Sequence, residues 1–60
     1  MNDEIRLQML EHVWSSKTGL QCYIEKINNF YTTLQVEGKG RVMLTTPKFK
    51  AILKGEEKYE

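Results

Sequence analysis

One cysteine, one histidine and one proline are all that sixty residues supply of those three types. Cys22 alone cannot form an intrachain disulfide, and Cys22 with His12 falls short of the four ligands that a closed zinc site takes. No metal and no cofactor is expected. A lone thiol fits a reducing cytoplasm. No apolar run approaches the ~20 residues a membrane helix needs, and no basic start leads into an apolar stretch. The expectation is a soluble cytoplasmic protein that leaves membranes alone. A chain this short buries only about 60% of the surface its unfolded form exposes. Domains of this size commonly lean on a disulfide, a metal or a second subunit. With the first two excluded, self-association or a protein partner gains weight.

Net charge is also in short supply, at +1, but its distribution is uneven. Residues 1–37 carry three basic against five acidic side chains, and residues 55–60 carry one against three. Between them, Lys39, Arg41, Lys48, Lys50 and Lys54 meet no acid at all. A basic block thus sits between two mildly acidic ones.

What the chain does have is a central stretch, Gln21 to Thr46, rich in β-branched and aromatic residues and interrupted by Asn28-Asn29 and Gly38-Lys39-Gly40. That is the pattern of three strands joined by two turns. Ahead of it, Asn2 reads as an N-cap with Asp3 and Glu4 in the first turn, and Thr18-Gly19 reads as a stop, which predicts a helix over residues 3–17. Its apolar residues Ile5, Leu7, Met9, Leu10, Val13 and Trp14 spread over roughly 200°, wider than one sheet face covers. Arg6 falls inside that arc, where its stem can lie along the sheet.

Leu20, Cys22 and Ile24 alternate with polar neighbours, as do Phe30, Thr32, Leu34 and Val36. A two-residue Asn28-Asn29 turn would put Cys22 and Ile24 on the face opposite Leu34. A three-residue loop puts them on the same face and is preferred, because a bulge costs less than exposing a row of aliphatics. For the second turn, Gly38-Lys39-Gly40 as the loop pairs Val36 with Val42, Leu34 with Leu44 and Glu37 with Arg41. Thr46-Pro47 then reads as N-cap and first helical residue of a short helix over 47–54, ending at Gly55. Residues 55–60 form a charged, frayed tail. The result is one α+β domain over 1–60. Its N-terminal helix packs on a three-stranded antiparallel meander, with a short C-terminal helix (α-β-β-β-α) completing a core of Trp14, Phe30, Leu34, Leu44, Phe49 and Ile52. The order of elements is that of double-stranded-RNA-binding domains, but the second helix is shorter and their basic helix-start cluster is missing, so only topology is shared.

Catalytic constellations are weak. His12 and Ser16 lie four apart on one helix, yet nothing builds an oxyanion site or a water-excluding cleft around them. Cys22 takes an inward strand position, which suits a structural thiol. Gly38-Lys39-Gly40 lacks the helix and hydroxyl that complete a phosphate loop. No catalytic residue is expected, and the protein is read as no enzyme.

Two binding readings remain. In the first, it is a small binding or regulatory protein that docks on another protein or on a second copy, with Ile5, Met9 or Trp14 as exposed anchors and unblocked strand edges at Leu20–Ile27 and Arg41–Thr45. In the second, Tyr23 and Tyr31 on the sheet, with Lys39, Arg41, Lys48 and Lys50 around them, form a stacking surface for nucleic acid.

Overall fold

Stop signals and strand alternation divide the chain into five elements in the computed structural model, which describes residues 3–59. Helix α1 runs Asp3–Thr18, strands β1, β2 and β3 run Cys22–Ile27, Tyr31–Val36 and Gly40–Thr45, and helix α2 runs Thr46–Lys54. The expected Asn2 cap lies outside the described residues. The strands form an antiparallel sheet in the order β1-β2-β3, so the fold is α+β with the predicted α-β-β-β-α sequence. Among the described residues no helix is long and apolar enough to cross a membrane.

Helix α1 stops where Gly19 N–H donates to Ser15 C=O at 2.8 Å. The Thr18 hydroxyl seals this end, donating to Trp14 C=O and accepting Leu20 N–H. In the first hairpin Cys22 lies opposite Val36 and Ile24 opposite Leu34, on the expected shared face, but the expected three-residue loop is not what puts them there. Ile27 faces Thr32 and Asn28 N–H donates to Tyr31 C=O at 3.0 Å, so the connection is closed at Asn28 and Tyr31 around Asn29-Phe30. The Asn28 side-chain oxygen accepts the N–H groups of Phe30 and Tyr31, both at 2.8 Å. The bulge lies inside β1, where the register shifts between Ile24 and Lys26 and leaves Glu25 as the extra residue. Beyond it Ile27 faces Thr32, so Cys22, Ile24 and Ile27 all turn toward the core despite their uneven spacing.

Four further expectations are corrected. Phe30 is in the loop and 73% exposed, because Asn28 bends the chain before β2 begins, so it is no core residue. The second hairpin is two residues out of the expected register: Leu34 faces Val42, Gln35 faces Arg41 and Val36 faces Gly40. Val36 C=O accepts Lys39 N–H at 2.9 Å, which closes the turn one residue early. Gly38 (φ 77°) and Gly40 (φ 80°) supply the left-handed backbone that this turn demands. A shift of two preserves faces, so Val42 and Leu44 still point inward, although Leu44 is only half-buried. The cap of α2 is Thr45 rather than Thr46, with its hydroxyl accepting Lys48 N–H. Thr46 is buried instead. Its hydroxyl donates to Asn28 C=O at 2.6 Å, which leaves Thr32 to donate the 2.9 Å bond between the two threonines. Finally, the tail is not wholly frayed, since Tyr59 packs on the core.

Both helices lie on one face of the sheet, α1 against β1 and α2 against β2 and β3, and they touch each other. Trp14, Ile24, Leu34, Val36, Phe49 and Ile52 are the buried apolar core. Trp14 stands at its centre. Its ring stacks on Phe49 at 5.6 Å and meets Tyr59 at 4.9 Å, which ties α1, α2 and the C-terminal segment together. The Trp14 Nε1–H has no acceptor among the described residues, so ring packing must outweigh an unmade hydrogen bond. A domain of this length carries roughly 3–9 kcal/mol of stability, and truncating a buried Trp removes about 3–5 kcal/mol. Trp14→Ala should therefore abolish or nearly abolish the cooperative urea transition, whereas Phe30→Ala should shift it by less than about 1 kcal/mol.

Candidate interaction surfaces

Helix α1 is apolar over more of its circumference than the sheet covers, and the surplus becomes surface. Leu7, Leu10 and Trp14 turn inward. Ile5 (56% exposed), Met9 (65%) and Val13 (36%) recur every four residues on the outward side. Together with Gln8 and His12 they line a shallow groove of about 250 Å³. Of the expected anchors, Ile5 and Met9 are exposed, while Trp14 is fully buried and serves the core. Helical geometry explains the split: Trp14 sits one residue, about 100°, beyond Val13 and so rolls under the helix.

The sheet face away from the helices carries Tyr23, Tyr31 and Met43, all exposed. Tyr23, Gln35 and Arg41 form one cross-strand row, and Tyr31 faces Thr45 at the other end. The two tyrosines are about 13 Å apart along the strands. Between them runs a polar chain, because the bulged Glu25 accepts from Gln35 Nε2 at 2.6 Å and pairs with Arg41 Nε at 3.1 Å. Lys39 lies at the tip of the turn. Lys48 and Lys50 stand on α2, in the layer behind the sheet. The structure thus brings Tyr23 and Arg41 together but places the cations on two sides of the sheet.

The two sheet edges differ. Glu37 N–H bonds Gln21 C=O at 2.9 Å, so in the first half of β1 the odd residues pair with β2 while Cys22 and Ile24 direct their backbone groups outward. The Glu11 carboxylate reaches across from α1 and accepts the Ile24 N–H at 2.7 Å, capping one outward donor of that edge. The same logic applied to Thr46 N–H on Phe30 C=O makes the even residues of β3 the bonded ones. The N–H and C=O groups of Arg41 and Met43 and the N–H of Thr45 therefore point away from the sheet; the Thr45 C=O belongs to the first turn of α2, which Thr45 caps. The Glu11 cap thus takes one outward donor of the β1 edge, and the outward N–H groups of β3 carry no such cap among the described residues. Glu11 escaped notice in the sequence; an acid beside Leu10 and Trp14 on the inward side of the helix was the one signal.

His12 and Ser16 are exposed and share no side-chain hydrogen bond among the described residues. No three His, Cys, Asp or Glu side chains come together there either. Cys22 is half-buried, and its thiol pKa rises from 9.0 to about 11, through burial first and the Glu11 charge second. Comparison with protein families, with curated proteins and with solved structures finds no match.

Because the unfolded thiol ionises first, this group favours folding fully below pH 9, and the contribution is lost as pH rises from 9 to about 11. Alkylation of the folded protein by iodoacetamide should keep accelerating past pH 9, whereas the unfolded chain should level off there. Glu11→Gln should lower the midpoint yet leave it above 9.0, since burial is the larger cause.

Proposed function

We propose that this is a small non-enzymatic binding or regulatory protein that works by protein–protein contact, and that its first contact is with a second copy through α1. The observation that carries the reading is the exposed Ile5-Met9-Val13 stripe. A stripe with Met9 at its middle is self-complementary about a two-fold axis: antiparallel packing sets Ile5 against the partner's Val13 and Met9 against itself, with opposed helix dipoles. Burying Met9 in this way would add apolar area to a core that holds six buried apolar side chains among the described residues. The lack of a hydrogen bond between His12 and Ser16 among the described residues, and a Cys22 thiol kept protonated at neutral pH, support a non-catalytic reading. A single unpaired cysteine also suits the cytoplasm.

The nucleic-acid reading keeps one supporting observation, the exposure of Tyr23 and Tyr31 on the open sheet face. Glu25 stands against it, since a carboxylate between the two rings repels phosphate and already holds Arg41.

Sedimentation equilibrium decides the principal proposal. The wild type should show a concentration-dependent dimer and Met9→Glu, which leaves the core untouched, a monomer; at protein concentrations low enough for the wild type to be monomeric as well, the two should agree in unfolding free energy to within about 0.5 kcal/mol. A wild type that stays monomeric at millimolar concentration overturns the α1 dimer. Fluorescent single- and double-stranded oligonucleotides titrated at low salt test the second reading, which needs binding that weakens as salt rises.

A further inference from the structure

We infer that the free edge of β3 is a docking site for an extended, acidic peptide segment of another protein, which it would take up as a fourth strand. This proposal does not depend on the α1 stripe. Three observations on different parts of the molecule converge on it.

The first is the row of unpaired backbone groups. Arg41 and Met43 present N–H and C=O, and Thr45 its N–H, outward along one side of β3, spaced for an antiparallel partner. A folded surface cannot satisfy such a row, but an extended backbone can. The second is asymmetry. At the opposite edge Glu11 already takes one outward donor, the Ile24 N–H, which an added strand would have to displace, whereas no side chain among the described residues bonds the outward N–H groups of β3. No proline lies within Gly40–Thr45 to block an added strand, and Met43, at the middle of the edge, is 63% exposed on the open face, so the one guard this edge carries is positive charge.

The third observation, charge, names the occupant. Lys39 and Arg41 flank the start of the edge and Lys48 follows its end, and residues 38–55 contain no acid. Glu25 engages only Nε of Arg41, whose side chain remains 68% exposed with its terminal nitrogens unbonded among the described residues. A second copy is the wrong partner here. Two β3 edges paired antiparallel about Met43 set the Lys39 end of one chain beside the Lys48 end of the other, which opposes like charges at both ends. An acidic strand gains at both ends instead. Alternation completes the pattern: side chains facing the helices would cover half-buried Val42 and Leu44, and a carboxylate on the other face would meet Arg41.

The probe is an acetylated, amidated peptide Glu-Val-Leu-Val-Glu-Asp, with two controls: Lys in place of each acid, and N-methyl-leucine at the centre. The readout is amide chemical shift and hydrogen exchange in isotopically labelled protein. The acidic peptide should slow exchange at Arg41, Met43 and Thr45 by about tenfold or more and leave Ile24 unmoved. The Lys version and the N-methyl version should bind at least about tenfold more weakly, and salt should weaken the acidic peptide. Met43→Pro places a ring at a position whose N–H bonds nothing in the sheet, so the fold should persist while binding is lost; Arg41→Glu should reverse the preference between the acidic and Lys peptides. Met9→Glu should bind the peptide as the wild type does, which separates this site from the α1 dimer. Absence of protection at millimolar peptide overturns the proposal, as does equal protection by the Lys version. Protection that grows with protein concentration alone assigns the edge to a second copy, and protection by an oligonucleotide in place of the peptide assigns it to nucleic acid; either overturns the acidic-peptide site.

Discussion

The single extra residue in β1, Glu25, is the constraint on which the sheet depends. Cys22, Ile24 and Ile27 are spaced by two and then three, and no regular strand can turn all three the same way. Inserting Glu25 as a bulge resets the alternation, so Ile24 meets Leu34 and Ile27 meets Thr32 on the covered face. A one-residue slip without it would move one aliphatic set to the solvent side. The same bulge projects Glu25 onto the open face, where it gathers Gln35 and Arg41. One local irregularity therefore settles both the core below the sheet and the charge pattern above it.

Above that register, the helices divide the labour unequally. Helix α1 contributes Trp14 to the core, and with Phe49 and Tyr59 this ring fastens three segments distant in sequence. It also contributes Glu11, whose 2.7 Å bond to Ile24 N–H satisfies an outward-facing donor at the β1 edge. Helix α2 is tied in by polar groups as much as by Phe49 and Ile52: the buried Thr32–Thr46–Asn28 relay fixes where the chain leaves β3 and turns into the helix. A buried hydroxyl pair with every donor placed is specific in a way that an aliphatic contact is not.

Element types and faces were legible in the sequence because each rests on local period and turn chemistry. The helix from residue 3, the three strands and the α+β topology follow from spacing and turn residues, and so does the placing of Cys22 and Ile24 on the face of Leu34; the pairing of individual residues across that hairpin does not. Phe30 was not legible, because its place in the alternation could not reveal that Asn28 would spend its side chain on the Phe30 and Tyr31 amides. The second register was missed by two residues for a related reason. Glu37–Arg41 looked like a cross-strand ion pair, but Arg41 takes Glu25 from the far strand, a contact that exists only once the bulge has formed. Among the candidate surface residues, Ile5 and Met9 were readable from the width of the apolar arc, whereas Trp14 was ambiguous at the arc's margin and only packing against Phe49 decides it.

An open edge and an exposed apolar stripe on so small a domain ought to invite aggregation, and the distribution of charge explains how the fold can carry both. Tyr23 and Tyr31 do not merge into one patch, since the Glu25–Gln35–Arg41 chain lies between them. At β3, the cations at either end disfavour pairing between identical edges, which is the commonest route from a free strand to a fibre. The α1 stripe is confined to three side chains four residues apart, bordered by Gln8 and His12, and offers a helix rather than a strand to a neighbour. Each exposed feature is thus matched to one geometry of contact and guarded against the other. Edge-to-edge growth is blocked by charge, face-to-face growth by the polar chain, and what remains open is a helical surface on one side and an acid-selective edge on the other.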